Sequence, residues 1–246
     1  MQNSSVVYGF HSAEEAIRNH PDRINHVWAS TGAQTHRLQE LLQEAHRRKI
    51  PVSRVEKHVL ARLAGTQHHQ DIVLQLSPFH YSSAEELMAG VNDRTLFCIL
   101  DEIQDTTNLG TLIRTMDGAA VDGIFLPERR SAAVTETTHR LSAGALEHVR
   151  IARVVNLARL IEEMQEQNVR VICAAGEAEK LWYEVNYKGP IAILVGNEQK
   201  GVRRLLREKS DEVVRIPMLG KVSSLNVNVA TAVLLYEAIR QRSKDQ

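Results

Sequence analysis

The feature that most constrains the fold is a series of short apolar segments, separated by helical stretches, that begins at Thr95. Most of these segments are apolar almost throughout rather than at alternate positions, which predicts strands buried on both faces. Strands that alternate with helices form a mainly parallel sheet covered by helices on both sides. The sequence therefore predicts an α/β fold here, built on LFCIL, GIFL, VRIARV, VRVICAA, IAILVG and EVVRIPM.

The residues before this series carry a separate pattern of helices and strands. INHVWAS and IPVSRV are typical of strands, whereas THRLQELLQEAHRRK places its leucines on one face of a helix. Residues 77–94 hold proline, serine and glycine around one short helical piece, which is typical of a linker. We therefore expect a small αβ domain at 1–76, a linker at 77–94 and a larger α/β domain at 95–246.

Charge and cysteine content narrow the functional classes. Thirty basic and thirty acidic residues cancel, so a contact with nucleic acid would have to come from local patches. Cys98 and Cys173 lie far apart in apolar runs, which indicates buried thiols in a reducing compartment. No run approaches the ~18 apolar residues of a membrane span, and the polar start lacks a signal-peptide core. We expect a cytoplasmic protein without a membrane partner.

Histidine is concentrated near the start of the chain. Nine of the eleven histidines fall between His11 and His80, but only His68 and His69 are adjacent. No helical pair of histidines sits beside a carboxylate at the spacing that a metal site requires. The pattern favours a polar surface, and we expect no metal.

The first of three unusual loops follows the strand that ends near Asp101. Asp105, Thr107 and Asn108 are good capping residues, so a helix is expected to begin around Asn108. Arg114 lies six residues further along this otherwise apolar helix. An arginine in that position is usually solvated or ion-paired, unless a site recruits it.

The second loop runs from Gly196 through Glu198 to Gly201. Its glycine spacing resembles a phosphate-binding loop, but Val-Arg follows the second glycine instead of Lys-Ser or Lys-Thr. The acidic Glu198 also disfavours phosphate, and the glycines would let a flat neutral or cationic ligand approach. The basic helix that follows is open to two interpretations, a solvated face or a contact with an acidic polymer.

The third loop places four small polar side chains at the start of an apolar helix: Ser223, Ser224, Asn226 and Asn228. Capping a helix needs one such residue, so capping alone does not explain the cluster. Ligands bind outside the carboxyl ends of parallel strands, where these loops are expected to meet. Together the loops predict a pocket with hydrogen-bond donors, one acid and one cation. The sequence offers no Ser-His-Asp order, cysteine nucleophile or G-x-G-x-x-G fingerprint.

These loops, in this order, resemble the three motifs of the SpoU/TrmH family of SPOUT-class RNA ribose 2'-O-methyltransferases. The matching segments are NLGTLIRT (108–115), LVGNEQKGV (194–202) and IPMLGKVSSLNVNVATAVLLYEA (216–238). The similarity is nearly continuous from Leu96 to Arg242. The first ~76 residues resemble the family's accessory substrate-binding domain more weakly.

The resemblance implies an α/β fold with a C-terminal trefoil knot, a homodimer, and S-adenosylmethionine bound in the knot mainly by backbone groups. The cofactor-binding positions that it implies are Leu194, Gly196, Asn197, Ile216, Met218, Ser224 and Leu225. The catalytic positions that it implies are Asn108, Arg114, Glu198, Ser224 and Asn226.

The expected activity is methylation of a ribose 2'-hydroxyl in RNA. An extra N-terminal domain, and an end soon after the last helix, resemble the members that act on a guanosine of 23S rRNA. Two alternatives stay open at this point. One is a tRNA ribose 2'-O-methyltransferase, and the other is a non-catalytic RNA-binding or ribosome-assembly factor with the same fold.

Overall fold

The structure is a computed structural model that describes residues 5–19, 21–33, 35–77, 79–197 and 199–243. It divides into two compact units. The first holds the chain up to His80 together with Val134–His148, and the second holds Tyr81–Ala133 and the chain from Val149 onward.

The elements alternate between strands and helices along most of the chain. The first half contains β1 (Ser5–Tyr8), α1 (Phe10–Asn19), β2 (Ile24–Ser30), α2 (His36–Arg47), β3 (Val52–Val55), α3 (Lys57–Ala64), β4 (Ile72–Leu76), α4 (Ala84–Met88), β5 (Leu96–Asp101) and α5 (Thr106–Gly118). The second half contains β6 (Gly123–Pro127), α6 (Glu136–Ser142), β7 (Ile151–Val154), α7 (Leu157–Glu166), β8 (Arg170–Ala174), β9 (Lys180–Leu181), β10 (Ile191–Gly196), α8 (Arg204–Lys209), β11 (Glu212–Arg215) and α9 (Val227–Ser243). Within the described residues, no helix is both long enough and apolar enough to cross a membrane.

The first unit is built on a four-stranded sheet in the order β1-β4-β2-β3. Helices α1 and α2 contribute to one hydrophobic cluster on this sheet, and α3 contributes to a second. The leucine face predicted for α2 is buried, as its helical spacing requires. Helix α3 ends at Gly65, whose φ of +66° suits a residue without a side chain.

Residues 134–148 pack with the first unit although the chain has by then entered the second. Arg23 Nη1 lies 3.0 Å from Glu147 Oε2, and Arg140 Nη1 donates to the Tyr8 hydroxyl over 2.8 Å. Burial, together with the positive charge of Arg23, lowers the pKa of His139 to about 3, so that this imidazole is neutral at pH 7. From the sequence we expected these residues to be part of the 95–246 domain. The domain limits 1–76 and 95–246 stay a prediction.

Residues 81–94, expected to be linker, are part of the second unit. Ser83 and Glu86 form a capping box at the start of α4, and Leu87 and Met88 are buried in the core. Ser82 also forms a parallel bridge with Ala152. The apolar pair at the end of a short, well-capped helix explains why this serine-rich stretch is anchored rather than extended.

The second unit contains a seven-stranded sheet in the order β7-β6-β5-β10-β8-β11-β9. Every neighbouring pair is parallel, which confirms the predicted α/β class. All six residues of β5 are buried, as are the first five of β10. Strand β10 lies between β5 and β8, and Gly196 pairs with Asp101 at the carboxyl end. The predicted loops therefore leave from one edge of one sheet.

At the opposite edge, Arg242 near the end of α9 donates to four backbone carbonyls. These are the carbonyls of Arg94 (2.6 Å), Thr95 (3.1 Å), Tyr187 (3.0 Å) and Gly189 (2.6 Å). Since Thr95 precedes β5 and Gly189 precedes β10, one side chain ties the last helix to the two central strands.

We expect Arg242→Ala to lower the free energy of unfolding by about 2–3 kcal/mol, measured by urea denaturation.

Arg159→Ala is the matched control for this change. Arg159 is exposed on α7 and pairs with Glu163 one turn away, a contact that contributes less than about 0.5 kcal/mol. Equal, small losses in the two variants would show that the carbonyl contacts of Arg242 do not stabilise the fold.

Candidate functional site

The first and third loops meet at Asn108, in the first turns of α5. Its Oδ1 accepts hydrogen bonds from Asn228 Nδ2 at 2.9 Å and from Asn226 Nδ2 at 3.4 Å. The residues that touch are about 120 positions apart in the chain. Because two amides donate to one oxygen, the orientation of the Asn108 side chain is fixed. Helix α5 itself begins at Thr106 because the Asp105 side chain caps it by accepting from the Thr107 N–H.

The polar cluster of the third loop has separate tasks. Asn226 starts α9: its carbonyl accepts from Ala230 N, and its Oδ1 accepts from Asn228 N at 2.9 Å. Ser224 is exposed and, like its neighbour Ser223, lines a cavity. One residue therefore caps the helix, two face the cavity, and Asn228 holds Asn108. Helix capping alone therefore does not explain the four polar side chains, as the sequence indicated.

The second loop is a tight turn organised by Asn197. Its carbonyl accepts from Gly201 N at 2.8 Å, and its Oδ1 accepts from Gln199 N at 3.0 Å. Its Nδ2 donates to the carbonyl of Glu102 at 3.1 Å, which ties the turn to the first loop. A side chain on Gly196 would place its Cβ 2.3 Å from the Gly201 carbonyl, so only glycine fits there.

A cavity of about 560 Å³ lies where the second and third loops meet the sheet. We call it the knot-side cavity, after the knot that the family resemblance implies, and it opens at the carboxyl ends of β8, β10 and β11. Six of the seven expected cofactor positions line it: Gly196, Asn197, Ile216, Met218, Ser224 and Leu225. Their chain segments are brought together by the sheet order, as the position of ligands in parallel sheets predicts.

Leu194 is the expected cofactor position that the structure does not place at the cavity. It is fully buried in β10, where it pairs with Ile99 and Cys173 in the sheet core. The next residue of the strand, Val195, lines the cavity, whereas Leu194 belongs to the hydrophobic core of the second unit. A cofactor contact at Leu194 stays a prediction.

The five expected catalytic positions are only partly assembled within this chain. Asn108 and Asn226 are in contact, and Ser224 faces the cavity. Arg114 is exposed on α5, does not line the cavity, and makes no hydrogen bond or ion pair with the described part of the chain. Glu198 lies outside the described residues.

Several cavity residues were missed by the sequence analysis. Ala174, Ala175 and Gly176 at the end of β8 line the cavity, and so do Lys200 and Arg215. The sequence does contain a pattern that indicates a binding loop here, because three small residues directly follow the apolar strand VRVIC. Without the strand order, however, nothing indicated that β8 lies beside β10.

The two cysteines of this unit are not suited to thiol chemistry, and the cations of the helix after the second loop are paired. Burial raises the pKa of the Cys173 thiol to about 12, and burial raises the pKa of the Cys98 thiol as well. The basic helix after the second loop pairs its cations with acids: Arg203 with Asp101, Arg204 with Glu208, Arg207 with Glu177, and Lys209 with Glu162. The knot-side cavity itself is lined by Lys200, Arg215 and Glu177 beside the loop backbone, so it offers two cations, one acid and backbone groups to a polar ligand.

Comparison with protein families gives two matches that cover most of the chain. A model of the SpoU rRNA Methylase family matches residues 95–236. A second model, described as RNA 2'-O ribose methyltransferase substrate binding, matches residues 6–82.

Individual relatives match along almost the whole length. A 23S rRNA (guanosine-2'-O-)-methyltransferase RlmB from Pseudomonas aeruginosa is 39% identical over 246 residues and covers 99% of both chains. The AdoMet-bound rRNA methyltransferase from Sinorhizobium meliloti superimposes with a TM-score of 0.82 at 25% identity, over 96% of this chain and 87% of that one. The SpoU methyltransferase AviRb from Streptomyces viridochromogenes, also solved with AdoMet, shares the fold, with a TM-score of 0.84 at 20% identity over 98% and 91% of the two chains.

Proposed function

Since this chain belongs to the SpoU rRNA methylase family, we propose that it transfers a methyl group from S-adenosylmethionine to the ribose 2'-hydroxyl of a guanosine in 23S rRNA. The catalytic and substrate-binding family models match consecutive parts of the chain. Relatives that carry this activity in their names match at 37–39% identity over nearly the full length.

The observation that carries the proposal is the convergence of the three loops. Asn108 of the first loop contacts the third loop, and Asn197 of the second loop contacts the backbone of the first. The knot-side cavity lies between the second and third loops. This convergence supports a site in which the methyl donor and the polar group that positions the acceptor meet at one edge of the sheet.

The knot-side cavity fits S-adenosylmethionine. Its volume of about 560 Å³ is typical of cofactor sites. A Cβ on Gly196 would meet backbone atoms, so the cradle there is shaped for close backbone approach. The cofactor carries no phosphate, which agrees with the missing phosphate-loop fingerprint. Gly196, Ile216, Met218 and Leu225 would hold it.

When bound, S-adenosylmethionine supplies an electrophilic methyl group on a sulfonium centre. The chain must hold the ribose hydroxyl in line with that methyl group and help to remove its proton. We propose that Asn108, Ser224 and Asn226 orient the ribose and the loop. Glu198 would orient Arg114 or Asn108.

The role of Arg114 follows from its chemistry. A guanidinium stays protonated and has no acceptor, so Arg114 is a poor proton acceptor. Its positive charge can instead bind an RNA phosphate and stabilise the alkoxide that forms as the hydroxyl loses its proton. Its exposure and the lack of an acidic partner in the described residues support this electrostatic role.

We propose a homodimer with the pocket completed across the interface. The third loop and α9 expose large apolar side chains: Leu219 is 96% exposed, Val222 68% and Tyr236 53%. Such side chains on one segment are typical of an interface. A partner's α5 would then supply Arg114 to a cavity that Arg114 of the same chain does not line. The trefoil knot and a cytoplasmic location belong to the same proposal, supported by family membership and by the RNA substrate.

Asn228 was not among the expected catalytic residues. Its contact with Asn108 gives a direct test of whether the orientation of the Asn108 side chain matters for methyl transfer. Asn228→Asp replaces the donor by an acceptor that faces Asn108 Oδ1, so the Asn108 amide must turn or lose the contact. We expect kcat to fall about tenfold or more, equivalent to about 1.4 kcal/mol, while S-adenosylmethionine affinity stays within about twofold.

The control for Asn228→Asp is Asn92→Asp, the same exchange in a loop at the other edge of the sheet. Single-turnover methyl transfer and calorimetric binding separate the two effects. An unchanged single-turnover rate in Asn228→Asp would show that Asn228 does not position Asn108 for methyl transfer.

The proposed function is tested by mapping ribose methylation in RNA from cells that lack this gene. We expect one 2'-O-methylguanosine of 23S rRNA to disappear and to return on complementation. A vanished tRNA methyl group would favour the tRNA alternative, and an unchanged pattern would favour the non-catalytic one.

A further inference from the structure

A second cavity opens on the same edge of the sheet as the knot-side cavity. Its volume is about 560 Å³, and we call it the arginine cavity. It lies at the carboxyl ends of β5, β6 and β7, beside α8. The residues that matter for its chemistry are Glu102, Arg129, Arg130, Val155, Arg203 and Leu205.

The two cavities are adjacent through the central strands. Gly196, which lines the knot-side cavity, pairs directly with Asp101 of β5. The next residue, Glu102, lines the arginine cavity, and its carbonyl accepts from Asn197 of the second loop. A polymer that reaches the first cavity along this edge can therefore extend into the second.

Arg203 is a fixed cation in the wall of the arginine cavity. Asp101 is fully buried and accepts from Arg203 N at 2.9 Å and from Arg203 Nε at 2.8 Å, with Nη2 2.7 Å from Oδ1. The side chain of Arg203 is still 47% exposed. A buried carboxylate thus holds in place a guanidinium that solvent can reach, which preorganises it for an anion.

Two further arginines stand at the rim. Arg129 is exposed and has no acidic partner among the described residues. Arg130 Nη1 lies 3.6 Å from Glu102 Oε1, a loose pairing in which Arg130 keeps 75% of its side chain exposed. Glu128 is also exposed at this rim, so the cavity carries cations without a large net charge. Local recognition of a phosphate is favoured over general attraction of RNA.

Two residues of the cavity have strained backbones. Glu102 has a φ of +55° and Arg130 a φ of +60°, a region that residues with side chains rarely adopt. Left-handed conformations outside glycine cluster at functional sites. Both strained residues are charged and face one cavity.

The cavity also exposes apolar side chains beside the arginines. Val155 is 84% exposed and Leu205 is 54% exposed. An apolar surface next to guanidinium groups matches the two halves of a nucleotide, the face of the base and its phosphate.

We propose that the arginine cavity binds a nucleotide of the RNA strand that flanks the methylated guanosine. This inference rests on the proposed function. Arg129 and Arg130 contact the phosphate, Arg203 stabilises its charge, and Leu205 packs against the base. The cavity thereby sets the register of the strand relative to the knot-side cavity.

The test uses Arg129→Ala in the full chain, with a 23S rRNA fragment as substrate. We expect KM for the RNA to rise about tenfold, and the slope of log affinity against log salt to fall by about one phosphate contact. kcat and S-adenosylmethionine affinity should stay unchanged. Leu205→Asn is a second variant, and it should raise KM without changing the salt slope, because it removes only the base contact.

Arg94→Ala is the matched control, an exposed arginine at the opposite edge of the same sheet. If Arg129→Ala and Leu205→Asn behave like this control while the wild type methylates the fragment, the proposal is overturned and the proposed function stands. If the wild type transfers no methyl group to any 23S rRNA substrate, the proposed function fails. A loss seen only on ribosomal precursor particles, and not on naked RNA, would identify a protein-docking surface and overturn the nucleotide site.

Discussion

Replacing Arg114 by alanine is expected to lower the single-turnover rate of methyl transfer by about 10²- to 10³-fold, the cost of removing a group that stabilises developing negative charge. Arg114 does not line the knot-side cavity and makes no hydrogen bond or ion pair with the described residues, so we expect its removal to leave the cofactor site and the fold intact. S-adenosylmethionine affinity should therefore stay within about threefold. Stopped single-turnover assays and calorimetry measure the two quantities.

Arg159→Ala controls for the loss of an exposed helical arginine, since its guanidinium pairs with Glu163 one turn away. A second experiment tests whether Arg114 acts across the proposed homodimer. In this experiment the inactive variants Arg114→Ala and Gly196→Ala are mixed so that heterodimers form. If Arg114 serves the partner's cofactor site, the mixture should regain up to about one quarter of the wild-type activity. Normal methylation by Arg114→Ala alone would remove its assigned role.

Gly196→Ala is expected to cause the largest loss of cofactor binding. The added Cβ would lie 2.3 Å from the carbonyl carbon and oxygen of Gly201 and 2.4 Å from Val202 N. These are backbone atoms of the second loop, so the loop must shift and the wall of the knot-side cavity moves with it. We expect the S-adenosylmethionine Kd to rise at least about a hundredfold, with a loss of about 1–3 kcal/mol in unfolding free energy from overpacking.

Gly90→Ala is the control for the glycine exchange, because its Cβ would meet only the Leu87 carbonyl at an ordinary 3.8 Å. Calorimetric titration gives the cofactor Kd, and urea denaturation gives the stability. If Gly196→Ala binds S-adenosylmethionine like the wild type, the close approach of the two loops does not shape the cofactor site.

Local patterns in the sequence were sufficient to predict much of the fold. INHVWAS forms a strand with the predicted limits, and the leucines of α2 are buried on one face. Each of these features depends on residues within a few positions of one another, which is the range over which propensity and periodicity act.

The features that could not be predicted depend on distant contacts. The segment 134–148 joins the first unit through Arg23 and Glu147, which are 124 positions apart. The end of β8 joins the cavity only because β8 pairs with β10. The family resemblance named six of the residues that line the cavity, but it did not indicate Asn228, whose contact with Asn108 depends on the turn at the start of α9.

The central claim is that the first, second and third loops form one site for a methyl donor and a ribose. Its most direct test is a crystal structure of the protein with an S-adenosylmethionine analogue and a short RNA containing the target guanosine. We predict the analogue against Gly196, Ile216 and Leu225, with the ribose 2'-oxygen next to Asn108 and an Arg114 side chain. An analogue bound away from these loops, or a ribose held at another edge of the sheet, would contradict the account.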